Sequence, residues 1–205
     1  MKKTSSKTEK NFLYLLISAL FLISSLFSSS ASCEIIHYNF DSSSSKLIFH
    51  GQSTLHSFEV TVGELSGFAE GDIGNIDRNA KGTFQVNVKS MKSDSEKMDK
   101  KMLEDMESEK YSTIDFELSD ATVLKSPDEE KIYYLVSITG ILKIHGIKKK
   151  ITFPADVVID ENDFNLRANV QLSLNDFNIK PSSFLFIFRV NDRIDIGINI
   201  HGTKS

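Results

Sequence analysis

The chain has 205 residues, 40% of them hydrophobic, which is enough for one domain with a sizeable core. Its formal charge of −4 disfavours nucleic acid as a partner, and its single cysteine excludes an intramolecular disulfide. It has no Trp, only three prolines, and no long-period repeat that would signal a second domain.

In chain order, Lys2, Lys3, Lys7 and Lys10 precede an apolar run from Phe12 to Phe27 softened only by Ser18, Ser24 and Ser25. Small residues, Ser28 to Ser32, follow. This layout predicts a bacterial export signal over residues 1–32. The run is shorter than the roughly 20 apolar residues needed to cross a bilayer. An uncleaved anchor helix is the alternative, disfavoured because charged flanking residues are missing on the far side. The segment carries four Lys and one Glu, so removing it takes the formal charge from −4 to −7 and leaves one domain over residues 33–205. The expected location is the periplasm or outer envelope.

Cys33 stands where the small residues end. Ser30-Ala31-Ser32-Cys33 resembles a lipobox, with Ser30 in place of the usual larger aliphatic residue. Lipidation of Cys33 would anchor the protein to a membrane. Ordinary cleavage after Ala31 is the other reading, but it leaves an exposed lone thiol in an oxidising compartment.

The mature chain alternates with period two. Phe58, Val60 and Val62 share a face, as do Phe84, Val86 and Val88, then Ile114, Phe116 and Leu118. The pattern continues in Ile132, Tyr134, Val136, Ile138, Leu142 and Ile144, and in Ile151, Phe153, Ala155, Val157 and Ile159. Phe164 to Leu174 is the cleanest case, and Ile194 to Ile200 the last. Polar breaks at Ser42–Ser45 and Ser126–Glu130 read as turns. About eight strands with short turns predict an all-β, closed antiparallel barrel, with a sandwich as the alternative because alternation fixes faces and not closure.

Two segments depart from the alternation. From Asp94 to Lys110, Met98, Met102, Leu103 and Met106 recur at helical spacing among charges, predicting one short amphipathic helix. Its methionines are core contacts, ligand contacts or both. Phe184 to Phe188 is apolar on both faces and reads either as a buried strand or as a flap over a cavity.

Catalytic signals are missing. The sequence has no G-x-S-x-G, H-E-x-x-H, phosphate-binding glycine loop or C-x-x-C, so no catalytic residue, metal or cofactor is assigned. His37, His50, His56, His145 and His201 are scattered singly, and only His50 and His56, flanking one turn, are placed to meet. A hydrolase would need a Ser/His/Asp or His/carboxylate cluster assembled by the fold alone.

Four fragments in order, Ser53 to Glu59, Tyr111 to Phe116, Gly140 to Gly146 and Leu174 to Phe177, with Met98-Asp99-Lys100-Lys101-Met102 between the first two, resemble the YceI-like family of bacterial periplasmic or secreted proteins. The likeness covers about residues 36–203, with Ser112 where the family usually has proline and Asn178 where it has glycine. It implies a lipocalin-like eight-stranded barrel with one short helix, whose interior holds an isoprenoid lipid, polyisoprenoid or quinone-like, for storage, shielding or transfer. On that reading the lining comes from Phe58, Val60, Phe84, Val86, Phe116, Leu118, Tyr134, Val136, Ile138, Phe153, Leu172, Phe177 and Phe186. The competing reading is a surface-anchored interaction lipoprotein with a solid barrel and partner-binding loops. Membrane fractionation tests the anchor: Cys33→Ala is expected to release the protein without unfolding it, and a variant that stays membrane-bound would end the lipoprotein reading.

Overall fold

The computed structural model describes residues 35–53, 56–72, 75–77, 79–128, 133–180 and 190–205. Residues 1–32, expected as an export signal, Cys33 and the Phe184–Phe188 stretch, including Phe186, lie outside the described residues. No described helix is long and apolar enough to cross a membrane.

Eleven antiparallel strands form one sheet: β1 (Ile35–Asp41), β2 (Lys46–Gln52), β3 (Ser57–Val62), β4 (Leu65–Asp72), β5 (Lys81–Asn87), β6 (Met91–Lys92), β7 (Thr113–Lys125), β8 (Tyr134–Ile144), β9 (Ile147–Ile159), β10 (Asp163–Ser173) and β11 (Arg193–Lys204). The register reduces these to eight staves. β1 and β2 both run antiparallel to β11, with Tyr38 opposite Lys204 and Lys46 opposite Asn199, so they are two halves of one bent stave. β4 and β3 pair with those halves in turn, and β5 and β6 pair with β4 and β3. The stave made of β5 and β6 continues through β7, β8, β9 and β10 to β11, which returns to β1. The result is a closed, up-and-down, eight-stranded antiparallel barrel, with the β9–β10 ladder confined to Ala155–Ile159 and Phe164–Ala168.

The break at Ser42–Ser45 is a turn, as its composition suggests, and it does not reverse the chain but bends the first stave. Ser45 is buried there, and its hydroxyl accepts from the His201 N–H at 3.0 Å, so a side chain carries the bond that the interrupted ladder omits. The bends of the next two staves are joined in the same way, by Gly63 N–H to the Ser90 carbonyl (3.1 Å) and Glu64 N–H to the Ser90 hydroxyl (2.8 Å).

Three aromatic rings lie flat on glycines of the neighbouring stave: Phe58 on Gly51, Phe40 on Gly67 and Phe116 on Gly140. A Cβ at Gly140 would fall 2.3 Å from the Phe116 ring and 2.5 Å from the Glu117 carbonyl oxygen. These glycines let bulky rings fold against the wall instead of filling the lumen.

The helix is shorter than its charge pattern suggests, spanning Glu96–Asp105 (α1). Ser95 starts it by accepting from the Met98 N–H. Its end is a Schellman motif, Ser108 N–H to the Leu103 carbonyl and Glu107 N–H to the Glu104 carbonyl, with Glu107 at φ 46° where glycine is usual. Asp99 is buried under α1 and accepts from the backbone N–H and the hydroxyl of Ser93 at 2.6 and 2.7 Å, with Lys92 at 3.6 Å. Burial pushes its carboxyl up, but the Ser93 bonds and Lys92 outweigh that and hold it below 3.8. The M-D-x-x-M aspartate is thus the pin that fixes α1 to the loop ahead of it.

Just after β10, the Leu174–Phe177 fragment leaves the strand and forms a 3-10 turn at Asn175–Phe177 ending in Asn178 at φ 57°. Asp192 accepts from the Asn175 N–H at 2.8 Å and from the Ser173 hydroxyl at 2.5 Å, which turns the chain inward and buries Phe177.

Two outcomes follow for denaturant melts. Gly140→Ala is expected to lose about 1–3 kcal/mol through overpacking against Phe116 and Glu117. Asp99→Ala is expected to lose about 1–3 kcal/mol at neutral pH by stripping the Ser93 donors of their acceptor. Because the folded Asp99 carboxyl is depressed, its contribution is complete above the ordinary value of 3.8 and disappears as pH falls through the folded value, so wild type and variant should converge in strong acid.

Candidate ligand cavity

The inward faces of the staves do not meet in the middle. The barrel contains two apolar chambers along its axis. The upper one, about 190 Å³, is walled by Tyr38, Phe40, Phe68, Phe84, Phe116, Phe153 and Phe164 with aliphatic residues between them, and reaches the rim at Glu70, Asp72 and Lys81. The lower one, about 430 Å³, lies beneath α1 and is bounded by Phe58, Val60, Met91, Met98, Met102, Met106 and Phe177. Phe49, Ile114, Ile144, Leu172 and Ile196 line both.

Of the residues expected to line a cavity, Phe84, Phe116, Leu118, Val136, Ile138 and Phe153 face the upper chamber. Phe58, Val60 and Phe177 face the lower, and Leu172 faces both. Val86 lines neither: it is fully buried opposite Leu65 and Ile114, where the third stave approaches its bend and the wall is solidly packed. Tyr134 also lines neither and sits half-buried at the rim end of β8, opposite Val157.

The sequence reading missed the first stave, whose Tyr38, Phe40, Leu47 and Phe49 all face inward. Its alternation was present in Ile36, Tyr38 and Phe40 but is broken by the Ser42–Ser45 bend. It also left the methionines open between core and ligand; Met98, Met102 and Met106 pack against the core and line the lower chamber at once.

Polar groups gather only at the ends. Around the lower mouth stand Ser53, His56, Asp94, Lys97, Lys101, Asp105 and Ser173. Lys101 lies 3.2 Å from both Asp105 and Glu104, and those hydrogen bonds, Asp105 first, hold its ammonium above the ordinary lysine value. At the opposite rim Lys81, 2.8 Å away, and then His37 hold the Glu70 carboxyl below its ordinary value. The rim charges thus pair with one another, leaving the interior dry and uncharged.

The floor of the lower chamber is held by His145. It sits at φ 51° beside Gly146 at φ 76°, making the two-residue turn between β8 and β9. Its Nδ1–H donates to the Phe177 carbonyl at 3.2 Å, and Tyr111 packs edge-on at 4.6 Å. Nε2 is buried without a hydrogen-bond partner among the described residues, 3.2 Å from the Glu107 carboxylate. One buried ring therefore joins the end of α1, the β8–β9 turn and the Phe177 turn, and Glu107 in its left-handed conformation is what presents the carboxylate. His50 does not meet His56; it pairs instead with Glu59, 3.2 Å away and directly across the hairpin. Among the described residues no three His, Cys, Asp or Glu side chains come together as a metal site.

Comparison with known proteins places this architecture. No curated protein sequence matches the chain. Burkholderia cenocepacia BcnA superposes with a TM-score of 0.67 at 16% identity, covering 79% of this chain and 98% of its own. A polyisoprenoid binding domain from Saccharophagus degradans, implicated in plant cell wall breakdown, gives 0.65 at 12% identity, covering 84% and 100%. The Campylobacter jejuni YceI protein gives 0.58 at 16%, covering 71% and 84%. At such identities these likenesses show the fold, and the sequence profile of the YceI-like domain matches residues 38–202, nearly the whole described barrel. The chain belongs to the YceI-like domain family.

Proposed function

We propose that this protein is a non-enzymatic, exported lipid-binding protein that holds an isoprenoid chain inside the barrel, for storage, shielding or transfer between envelope membranes. The observation that carries the reading is a lumen that the side chains of the described residues leave unfilled, apolar inside and polar at its mouths. Native interiors are otherwise close-packed, so an apolar void of this size destabilises the empty protein unless something occupies it. The printed description of the Saccharophagus domain as polyisoprenoid binding supports the choice of ligand class.

The capacity is adequate. An engineered apolar cavity of about 150 Å³ takes one benzene. By that measure the lower chamber holds on the order of fifteen carbons and the upper about eight. At about 0.8 kcal/mol per buried CH₂, a chain of that length gains well over 10 kcal/mol before association costs, so few polar contacts are needed. That suits a sequence without a catalytic constellation. The solid-barrel interaction protein is the weaker reading, because it has no use for a hollow core.

Anchoring through a lipidated Cys33 would hold such a carrier beside its lipid source, since several acyl chains tether stably where one does not. Organic extraction of protein purified from its native host, followed by mass spectrometry, is expected to recover an isoprenoid lipid in near-stoichiometric amount. Repeated recovery of no lipid from correctly folded protein would refute the carrier.

A further inference from the structure

The two chambers share five lining residues drawn from opposite walls, which mark the waist between them. Counting the staves around the ring, β2 lies in the first, β7 and β8 are the fourth and fifth, and β10 and β11 the seventh and eighth. The first stave faces the fifth across the barrel, and the eighth faces the fourth. Phe49 on β2 sits directly opposite Ile196 on the neighbouring β11, and Leu172 on β10 lies diagonally beside Ile196. These three form one wall of the constriction. Ile114 on β7 and Ile144 on β8 form the facing wall, and all five residues border both chambers. Ile114, Ile144 and Ile196 are buried, so the narrowing belongs to the packed core and not to a mobile rim.

We propose that this waist is the chain-length determinant of the ligand site, an inference that rests on the isoprenoid reading above. The larger chamber opens at the polar mouth under α1, where a headgroup finds Ser53, His56, Lys97 and Lys101. A tail of about fifteen carbons is accommodated within that chamber alone by the benzene measure. A longer tail must pass between Ile196 and Ile114 into the aromatic upper chamber, and only there does it gain the contacts of Phe84, Phe116 and Phe153. Discrimination by length is then set at the waist. β-Branched isoleucine suits that task because its stiff χ1 holds a fixed aperture where methionine would yield. The methionines cluster instead around the lower chamber, where tolerance of differing shapes has no cost for selection by length.

The test uses the full-length chain and three prenols, farnesol, geranylgeraniol and solanesol, with three, four and nine isoprene units, each titrated and read by native mass spectrometry. Wild type is expected to bind geranylgeraniol and solanesol more tightly than farnesol. Ile196→Phe, which narrows the waist, is expected to weaken the longer prenols at least about tenfold more than farnesol, because carbons beyond the waist are no longer buried. Ile114→Phe narrows the same passage from the facing wall and serves if Ile196→Phe does not fold; a wild-type circular dichroism spectrum is the control for an intact barrel. Ile196→Ala should move the ratio the other way. An unchanged ratio of long to short prenol in both folded phenylalanine variants would overturn the waist while leaving the carrier in place. Failure of wild type to bind any of the three prenols would overturn both.

Discussion

The whole structure depends on the return of the last stave to the first. β11 is bonded along one side to β10 and along the other to β2 and then β1, so every stave has two neighbours. Closure satisfies the backbone hydrogen bonds without an interior partner for the side chains, and an eight-stranded ring is just wide enough that its side chains decide whether the lumen is filled. Here they leave it partly empty. The bend at Ser42–Ser45 is part of this closure: the first stave follows β11 along both halves only because Ser45 bridges the interruption to His201.

The hollow is built by subtraction as much as by size. Nine phenylalanines lie among the described residues of the barrel, and they would crowd its lumen if each ring pointed to the axis. Glycines at positions 51, 67 and 140 let three of the rings lie along the wall. The helix covers one end without plugging it. Asp99 pins its start, while Glu107 and His145 pin its end, so the methionines between them face the lower chamber from a held position. Polar groups are used for fastening at the periphery, and the charged ones at the mouths are largely paired with each other.

That division of labour explains why a search for chemistry along the chain finds so little. A ligand bound by area needs a shaped apolar surface, which is spread over every stave and leaves no compact motif. His145 shows the converse. It stands alone in the sequence, yet in the fold its ring ties the β8–β9 turn to the Phe177 carbonyl under Tyr111.

Local chemistry was enough to read much of this protein. Alternation named the inward faces of most staves, three-to-four spacing named the helix and its methionine face, and the ordered fragments from Ser53 to Phe177 named the family, because each depends only on near neighbours in the chain. The tertiary structure alone decided the rest. Periodicity and composition mark the turn at Ser42–Ser45 but cannot tell a turn that bends a stave from one that reverses the chain, which β11 decides by running beside both halves. It cannot see the Asp192 carboxylate that turns Asn175–Phe177 out of a strand, nor distinguish Val86, packed solid beside a bend, from Phe84 two residues earlier, which borders open space. Whether inward side chains touch across a barrel depends on which staves stand opposite one another, and that is settled by long-range register and closure, at separations of more than a hundred residues.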